Sequence, residues 1–91
     1  MSSDYDHHDY YLRQGMPKHM LETLEAYRDQ GRPVGDFLRA VISNDLMEAA
    51  GRADIHNIQI LHVYAAWLYN DCPSNLHGSA ERYEQWINKE R

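Results

Sequence analysis

The sequence predicts an all-α fold: a compact bundle of four to five short helices behind a flexible N-terminal tail. Three observations predict it. Apolar residues recur at helical spacing, Gly and Pro separate those segments, and no segment sustains the apolar–polar alternation of a strand. The 91 residues suit one domain, so we assign residues 1–15 to an acidic tail and residues 16–91 to a single helical domain. A chain this short buries only about 60% of its unfolded surface, and we therefore expect a homo-oligomer.

The first 15 residues, MSSDYDHHDYYLRQG, are polar and acidic and show no apolar period. We expect this tail to be flexible, because terminal segments without apolar anchors seldom pack. The alternative is an arm that docks on a neighbouring subunit through Tyr5, Tyr10 and Tyr11.

The first predicted helix runs from about Pro17 to Gln30. Proline suits the first helical position, where no backbone donor is needed. Gly31 and Pro33 then end the helix. One buried stripe follows from the helical spacing of Met20, Leu21, Leu24 and Tyr27.

The second predicted helix begins near residues 34–36 and stops at Gly51, with Asp45 in the middle of its apolar arc. A carboxylate in that position must cap a helix or meet a partner. In the first interpretation the helix breaks at residues 43–45, Asn44 or Asp45 caps a new turn, and the Glu48 side chain accepts a backbone hydrogen bond in return, as in a capping box. In the second interpretation the helix continues and Asp45 enters the core to meet a partner. A solvent-facing kink is the third possibility.

The third predicted helix runs from about Asp54, a good N-cap, to Asp71. It is apolar nearly all round, which is typical of a central helix covered on both sides by its neighbours or by another subunit. One face has Ile58, Leu61, Ala65, Leu68 and Cys72, and the opposite face has Ile60, Val63 and Trp67.

The last predicted helix, about Ala80 to Lys89, follows the loop CPSNLHGS. Ser79 is its expected N-cap. The inward side chains are expected to be Tyr83, Trp86 and Ile87.

The net charge of −5 and the pI of about 5.6 argue against long-range attraction to nucleic acid or to an anionic membrane. The single Cys72 cannot form an internal disulfide, and the chain has no long apolar run and no recognisable signal peptide. We therefore expect no membrane association and a location in the cytoplasm.

The candidate site is a cluster of charged and polar residues around the second helix and the turn that follows it. In one interpretation, Arg52 forms a bidentate network with Asp45 and Asp54 that clamps the second and third predicted helices together. The same residues can instead line a pocket in which Arg39 or Arg52 binds a phosphate or carboxylate. The candidate ligand-binding residues are Arg39, Asn44, Asp45, Arg52, Asp54 and Tyr69.

Metal binding, catalysis and sequence-specific DNA binding find little support. His56 and His62 fall on different helix faces, and Cys72 with His77 has no second ligand pair. No phosphate-binding loop, nucleophile elbow or metalloprotease helix occurs. The third helix carries no Lys or Arg, although a recognition helix needs them. We therefore predict no metal, no cofactor and no enzymatic activity.

The segment from Pro33 to Asn57 resembles a group of short proteins found in bacteriophage and prophage genomes. The resemblance rests on Gly-x-Pro-x-Gly-x-Phe-Leu at 31–38, Ser-Asn-Asp-Leu at 43–46 and Gly-Arg-Ala-Asp at 51–54. It continues through Tyr69-Asn70, a Pro loop, Gly78-Ser79 and Trp86, with His77 where the group has Trp. The polar residues that it carries over are Ser43, Asn44, Asp45, Arg52, Asp54, Tyr69 and Asn70.

This resemblance implies an accessory protein that counteracts a host defence system by binding. The favoured version captures a small anionic, nucleotide-derived signal, with arginines on its phosphates and Tyr69 stacked on its base. A small helical nucleic-acid-binding regulator is a further alternative. The other alternative inhibits a host protein through an acidic surface of Glu22, Glu25, Asp29, Glu81 and Glu84.

Overall fold

The computed structural model describes residues 7–89, and in that range the chain forms seven α-helices and no strand. The prediction of an all-α fold is confirmed. Among residues 7–89, none of the helices combines the length and the hydrophobicity that a membrane span requires. The helices are α1 (His8–Arg13), α2 (Lys18–Gln30), α3 (Asp36–Ile42), α4 (Leu46–Arg52), α5 (Ile55–Gln59), α6 (Leu61–Asp71) and α7 (Ala80–Asn88), with a 3-10 turn (Ser74–Leu76) before α7.

The core contains tyrosine side chains whose hydroxyl groups find hydrogen-bond partners. The Tyr64 hydroxyl donates to the side-chain oxygen of buried Asn57 at 2.7 Å, and the Tyr27 hydroxyl donates to a backbone carbonyl of the 3-10 turn. These bonds remove the cost of burying a phenol. The largest fully buried side chains are Trp67, Tyr11, Tyr27, Tyr64, Leu21, Leu24 and Ile42.

The prediction of a flexible tail is wrong for residues 8–13, which form α1. Tyr11 is only 2% exposed, and its hydroxyl donates to the Asp71 carboxylate at the end of α6. His7 also contacts Asp71, with Nδ1 and Oδ1 2.7 Å apart. Because Tyr11 packs in its own chain, the alternative of an arm on a neighbouring subunit is wrong for this residue. The part of the tail prediction that concerns residues 1–6, including Tyr5, lies outside the described residues.

The second predicted helix breaks where the first interpretation placed the break, between α3 and α4. Asn44 adopts a left-handed φ of 63°, its N–H bonds Val41 O, and the Asp45 N–H bonds Ala40 O. That pair of bonds is the Schellman helix ending, in which Asn is one of the few residues tolerated at the left-handed position. The Asp45 side chain then accepts from the Glu48 N–H at 3.1 Å and starts α4. The N-cap is confirmed and the buried-carboxylate alternative is wrong, since Asp45 is exposed.

The third predicted helix is interrupted at Ile60, with φ −119° and ψ 25°, so that α5 and α6 replace one continuous helix. One side of α6 packs in the core through Val63, Tyr64, Trp67 and Leu68. The rest of the helix is covered only in part: Leu68 and Cys72 of the first predicted face are buried, whereas Ile58 and Ala65 of that face are exposed, and Tyr69 is 86% exposed. The prediction of cover on both sides by neighbouring helices of the same chain is therefore wrong for the exposed part of that face, where cover by another subunit stays a prediction.

The last helix follows the prediction closely. Ser79 caps α7 by accepting from the Arg82 N–H at 3.1 Å. Tyr83 is buried and stacks on Tyr27, with ring centroids 5.5 Å apart. The Trp86 indole N–H donates to the Tyr27 carbonyl, which ties α7 to α2.

Candidate functional site

An open groove lies between α4 and α6, over the break that separates α3 from α4. We call it the apolar groove, and its volume is about 270 Å³. Among the described residues that line it, none is Lys or Arg. The lining residues are Ala40, Val41, Asn44, Asp45, Leu46, Ala49, Leu61, Ala65, Leu68, Tyr69 and His77.

Small side chains form the base of the apolar groove, and large ones stand at its edges. Ala40 and Ala49 are buried, at 5% and 2% exposed. Leu46, the first residue of α4, is 69% exposed, and Tyr69 on α6 is 86% exposed. The Asp45 cap fixes where α4 starts, and this start places Leu46 at the edge of the groove.

Large apolar side chains exposed around a concave surface are unusual in a monomer. Burial of apolar surface stabilises a protein by about 25 cal/mol for each Å², and an exposed apolar side chain lacks this stabilisation. A contiguous apolar patch rimmed by polar groups marks an interaction site. Asn44, Asp45 and His77 supply such a rim here.

A second cavity, of about 390 Å³, adjoins the apolar groove at Ala40 and Asp45, which line both. We call it the acidic cleft, because four carboxylates and two guanidinium groups line it. Its charged lining residues are Asp36, Arg39, Asp45, Glu48, Arg52 and Glu84.

The predicted clamp of Asp45, Arg52 and Asp54 does not form. Asp45 caps α4, and Asp54 caps α5 by accepting from the Asn57 N–H at 2.7 Å. A carboxylate directly before a helix lies closer to the backbone N–H groups of the first turn than to a guanidinium one helix away. These aspartates therefore position helices, and the clamp interpretation is wrong.

Arg52 instead pairs within the acidic cleft. Its Nε donates to Glu48 Oε2 at 2.8 Å, and its Nη1 lies 3.5 Å from Asp36 Oδ2. The hydrogen bond to Glu48 is the main cause that raises the pKa of Arg52. Glu48 is thus engaged by Arg52 rather than by the Asp45 N–H, so the capping box is only half formed.

Arg39 on α3 is exposed, and its side chain makes no hydrogen bond or ion pair with any residue in the range 7–89. It lines the acidic cleft, whereas Tyr69 lines the apolar groove. The structure therefore brings Arg39 and Arg52 to one cavity and places Asn44 and Tyr69 along the other. Asp45 borders both cavities, and Asp54 lines neither.

Cys72 and His77 do not form a reactive pair. Burial raises the pKa of the Cys72 thiol to about 12, so the nucleophilic thiolate is scarce at neutral pH. Burial also lowers the pKa of His77, which therefore lines the apolar groove as a neutral imidazole at pH 7. Across residues 7–89, no three His, Cys, Asp or Glu side chains are grouped as a metal site requires.

Eight residues that line the apolar groove were not among the predicted site residues: Ala40, Val41, Leu46, Ala49, Leu61, Ala65, Leu68 and His77. A signal for part of the groove was present in the sequence, because the third predicted helix has more apolar positions than one buried face can hold. The meeting of α4 with that surplus face is a long-range contact, which local periodicity does not show.

No protein-family model, no curated protein and no solved structure matches this chain at a significant level.

Proposed function

We propose that this chain is a non-enzymatic accessory protein that acts by binding a partner protein in the apolar groove. The observation that supports this proposal is the exposed apolar lining beside a polar rim, with Tyr69 86% exposed. Tyrosine is enriched among the residues that dominate protein–protein binding energies. The resemblance to phage accessory proteins supplies the context, in which the partner is a component of a host defence system.

The geometry favours a protein partner over a small anion in this groove. A phosphate needs Lys, Arg or backbone N–H groups, and the apolar groove has no basic side chain among its described lining residues. Side chains from a docked protein suit such an open groove.

Site-specific photo-crosslinking tests this proposal. A benzophenone amino acid at position 65 faces the apolar groove, and the same group at position 22, on the exposed side of α2, is the control. In cells that express the chain, we expect a discrete crosslinked protein from position 65 only. The purified partner should bind the wild-type chain and lose at least about tenfold in affinity for the Ala65→Gln/Tyr69→Ala variant. Equal binding to that variant would contradict the proposal.

A second candidate function is capture of a small anionic ligand in the acidic cleft, and the unpaired Arg39 favours it. The cleft has more acidic than basic groups. An anionic ligand must therefore bind the free Arg39 side chain and displace a carboxylate from Arg52. Isothermal titration with cyclic dinucleotides and ADP-ribose derivatives tests this version. Binding should disappear in Arg39→Gln and persist in the control Arg13→Gln, and no heat with any of these ligands would rule it out.

A further inference from the structure

We propose that the occupant of the apolar groove is a cationic amphipathic helix of the partner protein. Its apolar side chains enter the groove, and its Lys or Arg side chains reach the carboxylates of the acidic cleft. This inference rests on the proposed function, because it names the chemistry of the partner that the groove would bind.

The walls and base of the groove are suited to a helix. An amphipathic helix presents apolar side chains at positions i, i+3 or i+4, and i+7, and lays them into a groove between two helices. Here α4 provides Leu46 on one side, and α6 provides Leu61, Ala65 and Tyr69 at successive i, i+4 positions on the other. That spacing extends over two turns of α6, or about 12 Å at 1.5 Å per residue.

Charge complementarity decides the sign of the partner. The acidic cleft adjoins the groove, and Arg52 neutralises part of the Asp36–Glu48 charge. Asp45 and Glu84 have no ion pair within the described residues, and Arg39 is the only other cation that lines the cleft there. A basic side chain beside the groove therefore meets a net negative cavity, on a chain whose net charge is −5.

The same charges disfavour a second copy of this chain in the groove. A copy would bring its own net charge of −5 towards an acidic cleft, and like charges placed together oppose association. The favoured occupant is a different protein with a basic helix.

Peptide display tests the partner's chemistry even while the partner protein is unidentified. A library of helical peptides with random surface residues is selected on the wild-type chain and counter-selected on the Ala65→Gln/Tyr69→Ala variant. Both positions are exposed, and Gln is a good helix former, so this variant should keep the fold. We expect the enriched peptides to combine apolar residues at i, i+3 or i+4, and i+7 with Lys or Arg alongside.

Fluorescence anisotropy of the best peptide then measures how much the carboxylates of the acidic cleft contribute to its affinity. Asp45→Asn removes a charge but keeps a good N-cap residue, and Glu84→Gln removes a second charge. We expect each to weaken binding about two- to fivefold, and raising the salt concentration should weaken the wild-type complex further. The matched control, Glu22→Gln on α2, removes a charge away from both cavities and should leave affinity unchanged.

The possible outcomes separate this inference from the proposed function. Groove-dependent peptides that are neutral or acidic, or affinities that Asp45→Asn and Glu84→Gln do not change, would overturn the cationic helix and leave protein binding in the groove intact. The absence of any groove-dependent peptide would overturn both. Light scattering that shows a dimer of the wild type, lost in the double variant, would make a second copy the occupant and overturn the inference.

Discussion

Replacing Asp45 with alanine tests whether this residue is a helix cap, as the structure indicates. Its side chain accepts one hydrogen bond, from the Glu48 N–H at 3.1 Å, and it places a negative charge at the start of α4. Loss of an N-cap hydrogen bond costs about 0.5–2 kcal/mol, and loss of the favourable charge costs about 0.3–1 kcal/mol. Because Asp45 is exposed, water replaces part of what is lost. We therefore expect Asp45→Ala to lower the free energy of unfolding by about 1–2 kcal/mol.

The comparison with Asp45→Asn separates the hydrogen bond from the charge. Asparagine caps about as well as aspartate, so this variant should lose only the charge contribution, about 0.5 kcal/mol. Urea unfolding followed by circular dichroism measures both values, and in a thermal scan each kcal/mol corresponds to about 4–8 °C for a domain of this size. A loss above about 3 kcal/mol for both variants would indicate a buried ion pair instead. A negligible loss for Asp45→Ala would mean that the cap does not stabilise α4.

Three further predictions concern the fold. Because position 44 has a left-handed φ of 63°, Asn44→Gly should be neutral or stabilising, and Asn44→Val should lower the free energy of unfolding by about 1–2 kcal/mol. Chemical unfolding measures both variants, and equal effects would contradict the left-handed conformation of residue 44. Tyr69→Ala should change the free energy of unfolding by less than about 0.5 kcal/mol, since the side chain is 86% exposed, so a large loss in a thermal scan would place Tyr69 in the core. The free energy of unfolding should fall as the pH rises above 9, because the Cys72 thiol has a pKa near 9.0 in the unfolded chain and burial raises this pKa to about 12 in the folded chain. When unfolding is measured as a function of pH, a Cys72→Ala variant should lose less stability than the wild type between pH 8 and 10.

Local signals in the sequence predicted the helices where the responsible residues act on their own neighbours. Ser79 caps α7, Gly31 ends α2 with a left-handed φ of 70°, and Asp54 caps the helix that follows it. The break at Asn44 and Asp45 was one of the interpretations that the sequence left open. The choice depended on whether Asp45 met a partner in the core, and local spacing carries no information on that.

The features that local patterns did not predict depend on contacts between distant parts of the chain. Tyr11 packs at Asp71, which is 60 residues later, so nothing in the tail itself indicated that α1 would be fixed. The break at Ile60 has no Gly or Pro beside it. Such features arise from tertiary packing, which overrides local propensity.

The candidate site was predicted in part. Asn44, Asp45 and Tyr69 do line the apolar groove, but the partner of Arg52 was assigned wrongly. Glu48 lies four residues before Arg52, the favourable helical spacing for an ion pair, and this signal was present in the sequence. The approach of Asp36 to Arg52 and the neighbouring positions of the two cavities need the three-dimensional fold.

Mapping of backbone amide chemical shifts tests most directly whether the apolar groove is the binding site. The isotope-labelled chain is titrated with the best display-selected peptide and, in parallel, with a peptide of the same composition in scrambled order. We expect shift changes centred on residues 40–49, 61–69 and 77 with the selected peptide alone. Changes confined to α1 and α2, or equal changes with the scrambled peptide, would contradict binding in the groove.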